Sequence, residues 1–148
     1  LNKFIKLKNR IKKHEGFRNK AYLDKLGNLT IGYGHLIKKS DNILLKKKYS
    51  RKYLNNFFEK DFELAVNNFN KYYKKKMSTD LKEVLIEMIF QLGIKKTLNF
   101  KKFNKFIQQN LLYLAALEMI DSLWYLQTPK RVQELIKILL GTSYDQQR

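Results

Sequence analysis

A chain of 148 residues, 44% hydrophobic and 14% aromatic, is long enough to bury a core as one domain. It has no cysteine, which excludes disulfides, a thiol nucleophile and a thiolate metal site. Lysines interrupt every apolar run before the roughly 18 residues a membrane span requires, so the sequence predicts a soluble chain. The formal charge of +18, from 31 Lys and Arg against 13 acids, favours polyanionic surroundings: nucleic acid, anionic lipid or acidic wall polymers. The sequence opens at Leu1 rather than Met, so an export or anchor segment ahead of it would lie outside these residues.

In chain order, Phe4, Leu7 and Ile11 recur at helical spacing and predict a first helix over about 2–14, with Gly16 suited to end it in a left-handed cap. From Phe17 to His35 the texture changes to β-formers broken by Gly27-Asn28 and followed by Gly32 and Gly34, which predicts a hairpin or small sheet. The two later glycines mark a bend or a close approach of the backbone. Ser50 is placed to cap a long helix to about Tyr73, with Leu54, Phe57, Phe58, Phe62, Ala65, Val66 and Phe69 as its apolar stripe. Asp80 and Glu83 have capping-box spacing at the start of a helix that runs to Gly93. Helices over about 99–109 and 111–125 follow. Thr128-Pro129 then reads as N-cap and first turn of a last helix stopping near Gly141, ahead of a frayed tail at Asp145–Arg148.

Acids are scarce, so their positions carry information. Glu15 falls at the end of the first helix, where the partial negative charge of the last carbonyls disfavours a carboxylate and suits a proton donor. Asp24 and Thr30 sit on the hairpin, which the turn at Gly16 can fold back toward that helix end. Two carboxyls in unlike environments are the equipment of glycoside hydrolysis, although on spacing alone a pair of solvated structural acids fits as well. The histidines, His14 and His35, offer no metal-ligand spacing, and no cofactor is implied. His35 is expected to pair with a carboxylate such as Asp61, and Trp124 to be core.

The strings His14-Glu15-Gly16-Phe17-Arg18, Ala21-Tyr22-Leu23-Asp24 and Thr30-Ile31-Gly32-Tyr33-Gly34-His35-Leu36 resemble those of the phage-type (T4-like) lysozymes, a glycoside hydrolase family. Two further stretches, Met88–Gly93 and Trp124–Arg131, look like the family's central-helix and tryptophan-to-proline segments, so the resemblance spans nearly the whole chain. It departs at Leu26, which stands in place of an acid, at Phe103 and Leu123, which stand where the resemblance implies polar or basic groups that meet the sugar, and in a short connection from Leu36 to Ser50.

The resemblance implies an α+β lysozyme-like fold in which 1–148 form a single catalytic domain. A small hairpin lobe, about 15–50, and a larger helical lobe, about 75–148 plus the N-terminal helix, would be joined by the long helix, with the cleft between. It implies an endolysin that hydrolyses the β-1,4 bond between N-acetylmuramic acid and N-acetylglucosamine in peptidoglycan with inversion, Glu15, Asp24 and Thr30 being catalytic. Leu36, Phe90, Gln91 and Arg131 would line the substrate site, with Arg131 near Glu15. The expected partners are bacterial peptidoglycan and, by charge, anionic envelope polymers, with no specific nucleic acid, and the expected state is a monomer. Such an enzyme would act in the cell wall or periplasm, either made in the cytoplasm of an infected bacterium and released or exported through a segment not present here. A non-catalytic peptidoglycan-binding domain and a basic helical nucleic-acid-binding protein are the alternative readings.

Overall fold

A computed structural model describes residues 3–146, with side chains up to Gly141. It is mostly helical with one small antiparallel sheet, the α+β class expected. Two compact units, Leu1–Leu64 and Ala65–Arg148, meet inside one continuous helix.

In the first unit, helix α1 (Ile5–Glu15) buries Leu7 and Ile11 and ends at Gly16. Gly16 has φ +70° but ψ −177°, an extended glycine geometry and not the left-handed cap expected from the sequence. Its N–H still closes the helix on the Lys12 carbonyl. Strands β1 (Arg18–Leu23), β2 (Leu29–Gly32) and β3 (His35–Leu36) form a sheet in that order, with Tyr22 opposite Thr30 and Thr30 opposite Leu36. The β1–β2 register slips between Arg18 and Tyr22, which adds local twist. A 3-10 turn (Lys39–Asp41) then leads to helix α2 (Arg51–Tyr72).

Ser50 caps α2 as expected, its hydroxyl accepting the Tyr53 N–H at 3.0 Å. Leu54, Phe58, Phe62, Ala65 and Phe69, spaced four, four, three and four, are its buried residues, while Phe57 and Val66 are half-buried. An aromatic chain fills this unit, from Phe17 to Tyr33 to Phe58 to Phe62 to Phe4, with ring centroids 5.0–6.1 Å apart. Cations cover it. Lys12 lies 4.7 Å from the Phe58 ring and Arg51 4.0 Å from that of Phe17. Gly32, at φ +66°, packs so close to α2 that a Cβ there would lie 3.3 Å from Leu54 Cβ.

In the second unit, helices α3 (Thr79–Leu92), α4 (Ile94–Asn99), α5 (Lys101–Gln108), α6 (Leu112–Ile120), α7 (Leu123–Gln127) and α8 (Pro129–Gln146) follow in chain order. Helix α3 is capped by Ser78, whose hydroxyl accepts the Leu81 N–H at 3.2 Å, so Asp80 sits inside the first turn and is not the cap expected. The expected helix over 111–125 is two, because Ser122 starts a new one by accepting the Tyr125 N–H. Helix α8 begins at Pro129 as expected but continues through Gly141, which a helix tolerates at about 1 kcal/mol relative to alanine. Of the tail expected to fray, Asp145 and Gln146 belong to α8, while Gln147 and Arg148 lie outside the described residues. Trp124 is core, and so is Phe103, whose complete burial removes it from any sugar surface.

One buried cluster ties the first unit together. His35 Nδ1 donates to Asp61 on α2 at 2.7 Å and Nε2 donates to Asp41 on the 3-10 turn at 2.8 Å, while the ring stacks on Phe57 at 4.6 Å. The Asp61 partner was expected; Asp41 was not. Two carboxylates that accept leave both ring nitrogens to donate, an arrangement that favours the imidazolium form of His35. Burial by itself lowers the His35 pKa, but the hydrogen bonds and charges of Asp61 and Asp41 more than offset it, and the net shift is upward. Burial likewise raises that of Asp41, while the Lys38 N–H and His35 outweigh it and lower the net value.

The stability from His35 is complete below its unfolded pKa and is lost as pH rises through the raised folded value. That from Asp41 is present above its unfolded pKa and is lost as pH falls through the lowered one. Both are full between about pH 4 and 6.5. Asp41→Asn is therefore expected to cost about 1–3 kcal/mol near pH 5, less above pH 8, and to bring the NMR titration of His35 downward. An unchanged His35 titration would show that the cluster does not form in solution.

Candidate active site

The last residue of α1 and the turn into β1 carry Glu15 to the sheet. Gly34, between β2 and β3, has φ +76°, and a Cβ built there would lie 2.6 Å from Glu15 Oε2. Only glycine lets the backbone come this close to the carboxyl, which is the close approach its sequence position suggested.

Asp24 opens the β1–β2 turn. Its Oδ1 accepts the N–H groups of Leu26 at 2.9 Å and Asn28 at 2.8 Å, and the Asn28 amide reaches Oδ2 at 3.4 Å. The Asn28 N–H, then that of Leu26, holds the Asp24 pKa below the ordinary carboxylate value. Asp24 is ionised and open to solvent. Thr30 is buried on β2, and its hydroxyl donates to the carbonyl of the same Asn28 at 3.0 Å. Asn28 therefore holds both Asp24 and Thr30.

The sequence reading passed over Tyr22, which sits opposite Thr30 in the sheet. Burial raises its pKa; Arg18, with its guanidinium 4.5 Å from the ring centre, opposes this, and Glu15 and Asp24 add to it. The phenol lies in the electrostatic reach of both carboxylates and stays neutral. Of the three residues expected to be catalytic, Thr30 lies opposite Tyr22 and is tied through Asn28 to Asp24, and Glu15 lies against Gly34 between β2 and β3, all in one unit. Leu36, opposite Thr30 on the outer strand, is 53% exposed and available to a ligand.

The other expected site residues belong to the second unit. Phe90 is half-buried near the end of α3. The Gln91 side chain accepts the Trp124 indole N–H at 2.9 Å and donates to the Thr128 hydroxyl at 3.2 Å, so its amide fastens α3 to the approach to α8. Arg131, expected near Glu15, is buried and its Nε donates to the wholly buried Glu87 at 2.9 Å. Nothing in local spacing marks Glu87 as this partner, because the two are 44 residues apart.

A small sheet with a hydroxyl on its middle strand, one carboxyl on the turn between two strands and another at the end of the preceding helix, followed in sequence by a helical unit, is the α+β class of the lysozymes. The chain belongs to the phage lysozyme family, whose sequence pattern matches residues 12–137, a family of lysozyme-like glycoside hydrolases. It is 30% identical to a probable T4-type lysozyme 2 of Dictyostelium discoideum, over 89% of this chain and 92% of that protein. It is 29% identical to a probable T4-type lysozyme 1 of the same organism, over 90% and 92%.

Substituting glycine at positive φ strains the backbone wherever it occurs, so Gly34→Ala and Gly27→Ala should each cost about 1–3 kcal/mol in urea unfolding. They should differ in activity. Nothing lies within 4 Å of a Cβ at Gly27, whereas at Gly34 the flexible Glu15 carboxyl has to move aside. Turbidity loss of peptidoglycan should fall roughly 10²-fold further for Gly34→Ala, the effect expected of a misplaced catalytic group. Equal activity in the two variants would separate Gly34 from the chemistry.

Proposed function

We propose that this chain is a muramidase that hydrolyses the β-1,4 bond between N-acetylmuramic acid and N-acetylglucosamine in peptidoglycan, with inversion. The observation that carries this reading is that one small sheet and its turns hold Glu15 against Gly34 and tie Asp24 through Asn28 to Thr30, with Asp24 kept ionised. Glu15 is the general acid that protonates the leaving oxygen. Asp24 takes a proton from the attacking water. The Thr30 hydroxyl gives its hydrogen to Asn28, so its lone pairs are left to accept from that water and aim it. This division of labour between a proton donor and an ionised base is that of an inverting glycosidase.

Leu36 and Phe90 are proposed as sugar-contacting residues, with Gln91 and Arg131 holding the framework of the second unit. The 148 residues act as one catalytic domain at the bacterial cell wall. The +18 charge favours its accumulation on anionic envelope polymers.

Glu15→Gln keeps the shape but cannot donate the proton, so peptidoglycan lysis should fall by roughly 10²–10⁴-fold with folding intact. Asp24→Asn should also abolish most activity. NMR taken early in the reaction should show the α-anomer at the new reducing end. The β-anomer appearing first, or near wild-type lysis by Glu15→Gln, would overturn the assignment.

A further inference from the structure

The second unit carries an apolar face that none of the chemistry above uses. On α6, Tyr113, Leu117 and Ile120 are 56%, 60% and 46% exposed and fall at i, i+4 and i+7, one side of the helix. The opposite side, Leu112, Ala115 and Met119, is buried. Leu123 and Leu126 on α7 extend the exposed set at 68% and 76%. Isolated exposed leucines are ordinary, but a contiguous apolar set of this kind marks an interaction surface.

The charge pattern says what can cover it. In a chain with 31 Lys and Arg, none falls between Lys105 and Lys130, and the segment carries only Glu118 and Asp121. Helices α5 and α8 pack against α6. In sequence the segment is bounded by exposed lysines, Lys101, Lys102 and Lys105 on α5 before it and Lys130 at the start of α8 after it. The segment thus presents apolar residues and two acids, with lysines before and after it in sequence. Two copies of a +18 molecule repel one another over most of their surfaces, and this is where they can meet. In an isologous contact each residue faces its symmetry mate's patch, so leucines meet leucines and the acids of one copy come within reach of the lysines of the other. An anionic bilayer would favour lysines interleaved with the apolar residues, which this segment lacks.

We propose that the α6–α7 face is a self-association surface, through which two copies pair once salt screens their repulsion. This departs from the monomer expected of the sequence, a state it leaves for low ionic strength. The Debye length falls from about 30 Å at 0.01 M salt to about 8 Å at 0.15 M, so pairing should strengthen as salt rises. Binding of the basic surface to an anionic membrane should weaken over the same range.

The test is sedimentation velocity of the full chain across that range and up to about 1 M salt. The expected result is a dimer fraction that grows with salt in the wild type and is absent in Leu117→Lys and in Tyr113→Lys/Ile120→Lys. All three substituted residues are exposed, and circular dichroism would establish that the variants fold. A dimer that persists in both variants, or a wild type that stays monomeric throughout, would overturn the proposal. Should the monomeric wild type instead bind phosphatidylglycerol vesicles, and Leu117→Ser lose that binding, the face would be a membrane surface.

Discussion

The buried His35, held between two carboxylates, is the point on which the first unit is organised. Three elements distant in sequence, β3, the 3-10 turn and α2, converge on one ring through two carboxylates and a phenylalanine. A single carboxylate would leave one ring N–H without an anion, and the cost of burying the charge would be poorly offset. With two, the ring is satisfied at both nitrogens, and β3 is fixed to the helix behind it. Because β3 pairs with β2, and β2 with β1, this anchor sets where Thr30 lies and, through Thr30, where Tyr22 lies. The same strand connection holds Gly34 against Glu15. In an acid-poor chain, two acids committed to one histidine indicate how much of the site's geometry rests on that strand.

The two carboxyls proposed as catalytic are placed by different means. Glu15 is carried by a helix end and bounded by a glycine backbone, so its position follows from packing. Asp24 is placed by the turn itself, since the N–H groups that orient it belong to residues two and four positions later. The first depends on the whole unit folding, the second on a local turn. Asn28 links the two regimes, donating to Asp24 through its N–H and accepting from Thr30 through its carbonyl. The hydroxyl on the sheet is thereby locked in register with the carboxylate on the turn.

Features decided within a few residues were legible in the sequence. Ser50 as a cap, Gly93 as a helix end, Pro129 as a first turn and the close approaches at Gly32 and Gly34 all follow from local backbone chemistry. Features decided by competition between local options were not: Ser78 and Asp80 are both good caps, and only packing of Leu81 and Val84 into the core selects the first. The separation of α6 from α7 turned on Ser122, one polar residue in a run otherwise read as continuous helix. Asp41 is near His35 in sequence, yet its role depends on a 3-10 turn that a lysine-rich segment does not announce. Glu87 and Arg131 required the tertiary fold. Of the site, Glu15, Asp24 and Thr30 were visible through family resemblance, and Tyr22 emerged only from its place opposite Thr30.

The way Asp24 is kept ionised bears on the chemistry it can do. A basic protein could hold a carboxylate in its charged form by pairing it with a lysine, and this chain has many. Such a pair would neutralise the charge. Here the hydrogen bonds to the carboxylate come from neutral donors, the backbone N–H groups of Leu26 and Asn28 and the Asn28 amide. They lower the pKa without cancelling the negative charge. A glycoside transition state resembles an oxocarbenium ion, so positive charge develops on the sugar as the bond breaks. A carboxylate that retains its full charge opposes that development electrostatically, in addition to accepting a proton from water. In the proposed reaction the turn thus supplies an anion whose field is still available to the reacting sugar, in a molecule whose overall charge would otherwise work against a cationic transition state.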